Sequence, residues 1–227
     1  MESILQTNDY VGISFWLATA IMLASTVFFL VERSDVDRKW RTSLTVAALV
    51  TGMAFWHYLY MRAGWIATGE SPTVFRYIDW LITVPLQIVE FYLILAAVTV
   101  VRPVLFWKLL IASLVMLVGG YLGEAGLMAS MPAFIIGMIG WAAVIYLIFA
   151  GDAAKASVAS GNVASQTAFN AMRMIVLVGW AIYPIGYLVG DAGSADSLNI
   201  IYNLADLINK TAFGLVIWAA AVQDTKK

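Results

Sequence analysis

Seven stretches of the chain stay apolar long enough to cross a bilayer as helices, and most of the residues that interrupt the pattern fall between them. The first spans about residues 10–31 and the second about 43–65, separated by a charged loop at 32–41 carrying Arg33, Arg38, Lys39 and Arg41. The third begins at Pro72, the fourth at Pro103 and the fifth at Pro132, each where a first helical turn tolerates a missing N–H. The fourth ends near residue 127 and the fifth near 151, after which 151–165 is small and polar enough to predict a loop. A sixth stretch covers about 166–189, a turn is predicted at 190–196, and the seventh covers about 198–222. Pro85 and Pro184 lie inside the third and sixth stretches, where proline kinks a helix and frees a carbonyl. No internal repeat is visible. The pattern predicts an all-α, integral membrane bundle of seven transmembrane helices, formed as a single domain over residues 1–227.

The third stretch departs most from the pattern, because it carries Arg76, Asp79 and Glu90 inside a span. At about 100° per residue, with Asp79 at zero, Glu90 falls near about 20°, Thr83 about 40°, Arg76 about 60° and Gln87 about 80°. These side chains share one stripe. Ionisable groups in a span are costly and ordinarily face a bundle interior or a water-filled path, so the stripe predicts a route for charge. Asp79 and Glu90 are separated along it by about 16 Å of rise. The seventh stretch carries Asp206 and Lys210, which an i, i+4 spacing puts on one face. Lys210 falls near the bilayer midplane, where an unpaired cation costs about 2.5–3.5 kcal/mol.

Composition fits this reading. Of 227 residues, 62% are hydrophobic and 12% charged, and the mean hydropathy is +0.86, too apolar for the surface of a soluble domain of this size. The net charge of -1 gives no footprint for nucleic acid. With no cysteine, thiol catalysis, disulfides and thiolate metal sites are excluded. Residues 1–10 hold Glu2 and Asp9 and no basic residue, which is not the pattern of a secretory leader. Basic residues gather on one side: the 32–41 loop, Arg102, Lys108, Lys155, Lys226 and Lys227, against chiefly Arg62 on the other. Positive residues mark the cytoplasmic side, so the N-terminus is expected outside. Asp79 is then nearer the exterior and Glu90 nearer the cytoplasm. Glu32, Glu124, Asp191 and Asp196 read as surface or interface charges, and Gly119, Gly120, Gly123 and Gly126 as small-residue packing positions.

A midplane lysine can be a paired structural cation, an ion-binding group in a transporter, or a nucleophile whose amine condenses with a carbonyl. Burial disfavours the charged amine and so favours the third. Trp80, Trp141, Trp180 and Tyr183 fall well inside their spans, away from the interfaces where such rings usually anchor. They read either as large core residues or as flat walls around a conjugated chain.

The run Arg76-Tyr77-Ile78-Asp79-Trp80-Leu81-Ile82-Thr83 with Glu90, the run Trp180-Ala181-Ile182-Tyr183-Pro184, and Asp206 with Lys210 strongly resemble the microbial rhodopsins. Among these they are most similar to the proteorhodopsins. The resemblance extends to Phe55-Trp56-His57-Tyr58, Gly123-Glu124-Ala125-Gly126 and Tyr202-Asn203-Leu204-Ala205-Asp206, and so covers nearly the whole chain. It implies a light-driven outward proton pump in a bacterial inner membrane. Lys210 would form a Schiff base with all-trans retinal, within a pocket that includes Trp80, Gln87, Met116, Trp141, Trp180, Tyr183 and Pro184. Asp79 would be counterion and proton acceptor, Asp206 the second counterion with Arg76 below the pair, and Glu90 the proton donor. Thr83 belongs to the same pattern. His57, the only histidine, would hydrogen-bond Asp79 and make pumping depend on external pH. Gln87 is the position at which blue-absorbing members carry glutamine and green-absorbing ones leucine, so the resemblance implies blue absorption. It further implies a homo-oligomer, a pentamer or hexamer, with Trp16 of a neighbour near His57.

A sensory photoreceptor with a slow photocycle is the alternative on the same residues. A chloride pump is disfavoured by the carboxyl of Asp79, a sodium pump by the set Asp79, Thr83 and Glu90. A retinal-free transporter is the remaining class.

Overall fold

Asp9 starts the first helix by accepting a hydrogen bond from the Gly12 amide at 2.7 Å, which satisfies one orphan donor of the helix terminus. The computed structural model describes residues 5–189 and 195–226. Its helices are α1 (Tyr10–Glu32), α2 (Arg41–Thr68), α3 (Thr73–Ala96), α4 (Val104–Glu124), α5 (Ser130–Phe149), α6 (Asp152–Ser160), α7 (Val163–Met174), α8 (Ile182–Val189) and α9 (Ala195–Thr225). Pro72 and Pro103 precede α3 and α4, and Gly69 at φ 69° closes α2 in the left-handed conformation that glycine reaches without strain. Among the described residues, seven helical stretches are long and apolar enough to cross a membrane, with α5 and α6 forming one and α7 and α8 another. The chain is a multi-pass membrane bundle.

Two predicted boundaries differ. The segment expected as a loop at 151–165 is mostly helix: α6 continues beyond α5 and α7 begins at Val163. Alanine-rich composition, Asp152 in the first turn and Gly161 at φ 63° after the last explain it. The sixth span is not one proline-kinked helix. It holds a π-helical turn at Ile175–Gly179, where the Trp180 amide reaches back to the Ile175 carbonyl, followed by a break before α8. The π-turn widens the helix by one residue just ahead of Pro184. Most of the turn expected at 190–196, including Asp191, lies outside the described residues.

Helix α3 is the core of the bundle and packs against α2, α4, α7 and α9, while α1 joins α2 to α9. Arg76, Asp79, Thr83, Gln87 and Glu90 are all buried, so the polar stripe faces inward as the spacing requires. Helices α4 and α5 approach until backbone meets backbone: a Cβ on Gly119 would stand 2.6 Å from the Gly137 nitrogen. Gly119 and Gly123 are the packing positions expected of small residues, and Gly120 packs against Tyr77, whereas Gly126 is not one: it follows α4 at φ 69° with nothing within 4 Å of where a Cβ would stand.

At the end of the bundle nearer Glu90, Asp224 gathers three donors. Lys39 Nζ lies 2.7 Å away, Trp40 Nε1 donates at 3.0 Å and Asn162 Nδ2 at 2.7 Å, while the Asp37 amide donates to Thr225 Oγ1 at 2.9 Å. The end of α9 is thereby tied to the segment before α2 and to the start of α7.

Candidate functional site

Lys210 projects from α9 into the bundle centre and is 3% exposed. Its Nζ stands 3.0 Å from Asp79 Oδ2 and 3.0 Å from Asp206 Oδ2, so the costly midplane cation is offset by two carboxylates. The two acids are held differently. Asp206 accepts from Tyr58 OH at 2.9 Å, Tyr183 OH at 2.7 Å and Trp80 Nε1 at 3.2 Å. Asp79 has Thr83 Oγ1 at 3.5 Å from Oδ2, and its Oδ1 makes no completed hydrogen bond among the described residues. The Thr83 hydroxyl is committed instead to the Asp79 backbone carbonyl at 2.9 Å.

His57 comes from α2 with Nδ1 3.4 Å from Asp79 Oδ1 and 2.9 Å from the Met53 carbonyl. If Nδ1 carries the ring proton, the Met53 carbonyl takes it directly and Asp79 lies at the edge of its reach. Trp16, expected beside a neighbour's His57, packs within its own protomer against Arg62, whose guanidinium carbon sits 4.1 Å above its ring centre.

Arg76 donates through Nη2 to Asn199 Oδ1 at 2.9 Å and Asn203 Oδ1 at 3.0 Å, and lies 5.4 Å from the Tyr202 ring centre. Its Nε and Nη1 have no hydrogen-bond partner among the described residues, although the side chain is buried. A positive charge thus lies below the carboxylate pair, anchored by neutral amides.

Glu90 lies about three turns from Asp79 on the same face. It is 1% exposed, and neither of its oxygens has a completed hydrogen bond among the described residues; the Ser43 side chain faces it. An uncompensated carboxylate would be very costly there, so the site suits a neutral acid.

A cavity opens from Lys210 between α3, α4, α5, α8 and α9. It measures about 800 Å³ when the open space at its mouth is included. Trp80, Trp141, Trp180 and Tyr183 supply flat walls, and Met116 and Pro184 fill between them. Trp141 Nε1 donates to the Val176 carbonyl at 3.2 Å, so the π-turn fixes the orientation of one wall. Gln87 also lines the cavity and points its Nε2 toward the Asn209 carbonyl at 3.5 Å. A blind apolar slot with aromatic walls and one amine at its end fits a long, flat, apolar carbonyl compound.

Glu124 is the residue that sequence reasoning misplaced. It was expected as a surface or interface charge, whereas it is half-buried and lines the same cavity as Lys210, facing Tyr77. Its position at the end of a span suggested exposure, and the inward turn of the last helical residue has no signature in spacing. Asp196 is exposed, and half-buried Glu32 accepts from Trp218 Nε1 at 2.8 Å.

Comparison with known proteins gives a consistent picture. Residues 9–224 match the family model described as bacteriorhodopsin-like protein. The chain is 61% identical over 225 residues to the green-light absorbing proteorhodopsin of Gamma-proteobacterium EBAC31A08, covering 97% of this chain and 90% of that one. It is also 61% identical to the blue-light absorbing proteorhodopsin of Gamma-proteobacterium Hot 75m4, over 226 residues with the same coverage. Among solved structures, the blue light-absorbing proteorhodopsin from Med12 is 66% identical with a TM-score of 0.82, covering 95% of this chain and 99% of that one. Xanthorhodopsin, a light-driven ion pump with dual chromophore, is 28% identical with a TM-score of 0.84, covering 98% and 97%.

Proposed function

The chain belongs to the bacteriorhodopsin-like family, and from that premise we propose that it is a light-driven proton pump that moves protons outward across a bacterial inner membrane. The observation that carries this reading is the line of three acids and one amine: Glu90, Lys210 and Asp79 with Asp206, all buried on facing sides of α3 and α9. Lys210 would hold all-trans retinal as a Schiff base between the aromatic walls, and the group would supply absorption of visible light and photoisomerisation.

The protein's own groups do the rest. Asp206, saturated by three donors besides the lysine, stays an anion and holds the positive nitrogen in place. Asp79, equally near but with one oxygen unbonded, is the carboxylate free to take the proton. Glu90, a neutral acid in an apolar site on the other side, returns a proton to the nitrogen. Arg76 keeps the outer side positive, which disfavours return of the proton by that route. His57, beside the unbonded oxygen, orients Asp79. Direction follows from acceptor and donor lying on opposite sides of one amine.

We assign blue absorption to Gln87. Equal identity to green- and blue-absorbing relatives leaves colour to the cavity wall, and this wall carries an amide. A homo-oligomer, pentamer or hexamer, completes the proposal.

Cells expressing the chain with retinal, in lightly buffered medium, should acidify the medium on illumination, and an uncoupler should abolish the change. A coloured protein that cycles without acidification would favour the sensory alternative. Lys210→Ala should lose the visible band; a band that persists would overturn the site assignment.

A further inference from the structure

The sixth span is the least buried of the seven, and between Val163 and Leu188 it carries a single formal charge, Arg173. That side chain has no part in the proton path. It lies in the last turn of α7, half-buried, with its guanidinium carbon 4.8 Å above the ring centre of Phe149, the last residue of α5. Among the described residues it makes no hydrogen bond and no ion pair. The fully buried cations are treated differently: Lys210 has two carboxylates and Arg76 two amide oxygens.

A neighbouring contact sets the depth of Arg173. The Gly179 carbonyl accepts from Asn209 Nδ2 at 3.1 Å, so Gly179 lies level with Lys210, and Arg173 comes six residues earlier. That is about 9 Å toward the end of the bundle where Asn162 meets Asp224. With Lys210 near the midplane and half a hydrocarbon core about 15 Å thick, the Arg173 backbone is about 6 Å short of the headgroups. An arginine stem spans such a gap by lying along apolar surface with its head in the interface. Tyr146, one turn before Phe149, is exposed on the same helix, and Met174 and Val178 are exposed beside Arg173. A tyrosine near a cation at the edge of the hydrocarbon is the pairing found at headgroup level. The face is separate from the one expected between copies of the chain, since α5 packs on α4 and α7 while Trp16 and His57 belong to α1 and α2.

From this placement we infer that Arg173, with Phe149 and Tyr146, is a binding site for the phosphate of an anionic phospholipid in the leaflet nearer Glu90. Charge complementarity selects the occupant. An uncompensated planar cation at the edge of the hydrocarbon is met by an anion that can itself reside there, and the guanidinium fork takes two phosphate oxygens at once. The acyl chains of the same molecule cover Met174 and Val178. The lipid then braces α7 against α5 just ahead of the π-turn at Ile175–Gly179.

The test uses the full chain with retinal, stripped of lipid in detergent and titrated with phosphatidylglycerol or phosphatidylcholine, while native mass spectrometry counts bound lipid and subunits. The visible band reports intact pigment. The unaltered chain should prefer phosphatidylglycerol, and Arg173→Gln should bind it about fivefold more weakly with phosphatidylcholine unchanged. A diazirine-bearing phosphatidylglycerol, photolysed on the unaltered chain, should mark Tyr146, Phe149 or Met174, and this decides the matter if Arg173→Gln forms no pigment. Equal retention of both lipids by the unaltered chain, undiminished phosphatidylglycerol binding by Arg173→Gln, or labels confined to other helices would overturn the inference. Inorganic phosphate that competes fully for the site would replace the lipid by a free anion. An oligomer that falls apart in Arg173→Gln with lipid retention unchanged would give the face to a second copy of the chain. Either result overturns the lipid site, and neither touches proton pumping, which is read separately.

Discussion

Asp79 and Asp206 place one oxygen each 3.0 Å from the same lysine nitrogen, yet only Asp206 is surrounded by further donors. Equal distance with unequal hydrogen bonding divides the work between two chemically identical groups. The saturated acid cannot gain a proton without giving up bonds to Tyr58, Tyr183 and Trp80, whereas Asp79 gives up little.

Asp79→Asn should therefore abolish light-driven acidification and move the absorption maximum to longer wavelength, because a counter-charge near the nitrogen is lost. Spectra and pH traces of the same membranes check it, and a variant that still pumps would assign acceptance elsewhere.

Asp206→Asn should be felt first as instability. It leaves Lys210 with one carboxylate and puts an NH₂ donor in place of one of the two oxygens that accept from Tyr58, Tyr183 and Trp80, and breaking a buried ion pair from one side costs about 3–5 kcal/mol. Thermal bleaching of the pigment should begin at clearly lower temperature than in Asp79→Asn. Equal thermal behaviour would show that the donors around Asp206 carry no special weight.

Glu90→Gln should leave colour and the first proton transfer unchanged and slow the recovery of the ground state by about 100-fold, the usual worth of a positioned acid. Time-resolved absorption after a flash reads this directly. Added azide, a small diffusible acid, should restore much of the rate.

Gln87→Leu should shift the absorption maximum to longer wavelength. The amide beside the cavity favours the ground-state charge on the nitrogen, and leucine removes that preference while filling similar volume. An unchanged maximum would move the origin of colour to another wall of the cavity.

Much of this site was legible in the chain because its logic is periodic. A stripe of five polar residues on a helix whose other faces are apolar can only point inward, and Asp206 and Lys210 had to share a face. Glu124 and the π-turn were not legible. A carboxyl at a span end looks the same whether it turns toward water or toward a cavity. The Val176 carbonyl that receives the Trp141 indole is a backbone group, which no side-chain pattern announces. Asn199 and Asn203 also escaped notice as the amides that anchor Arg76, since asparagine in an apolar helix signals polarity without naming its partner.

Lys210 and Asp224 ride on one unbroken helix, fourteen residues or about 21 Å apart. With its far end stapled to Lys39, Trp40 and Asn162, that rod cannot recoil freely when the cavity changes shape. The wall that faces it is built differently, since the π-helical turn at Ile175–Gly179 breaks the regular hydrogen-bond ladder there and lends a carbonyl to Trp141.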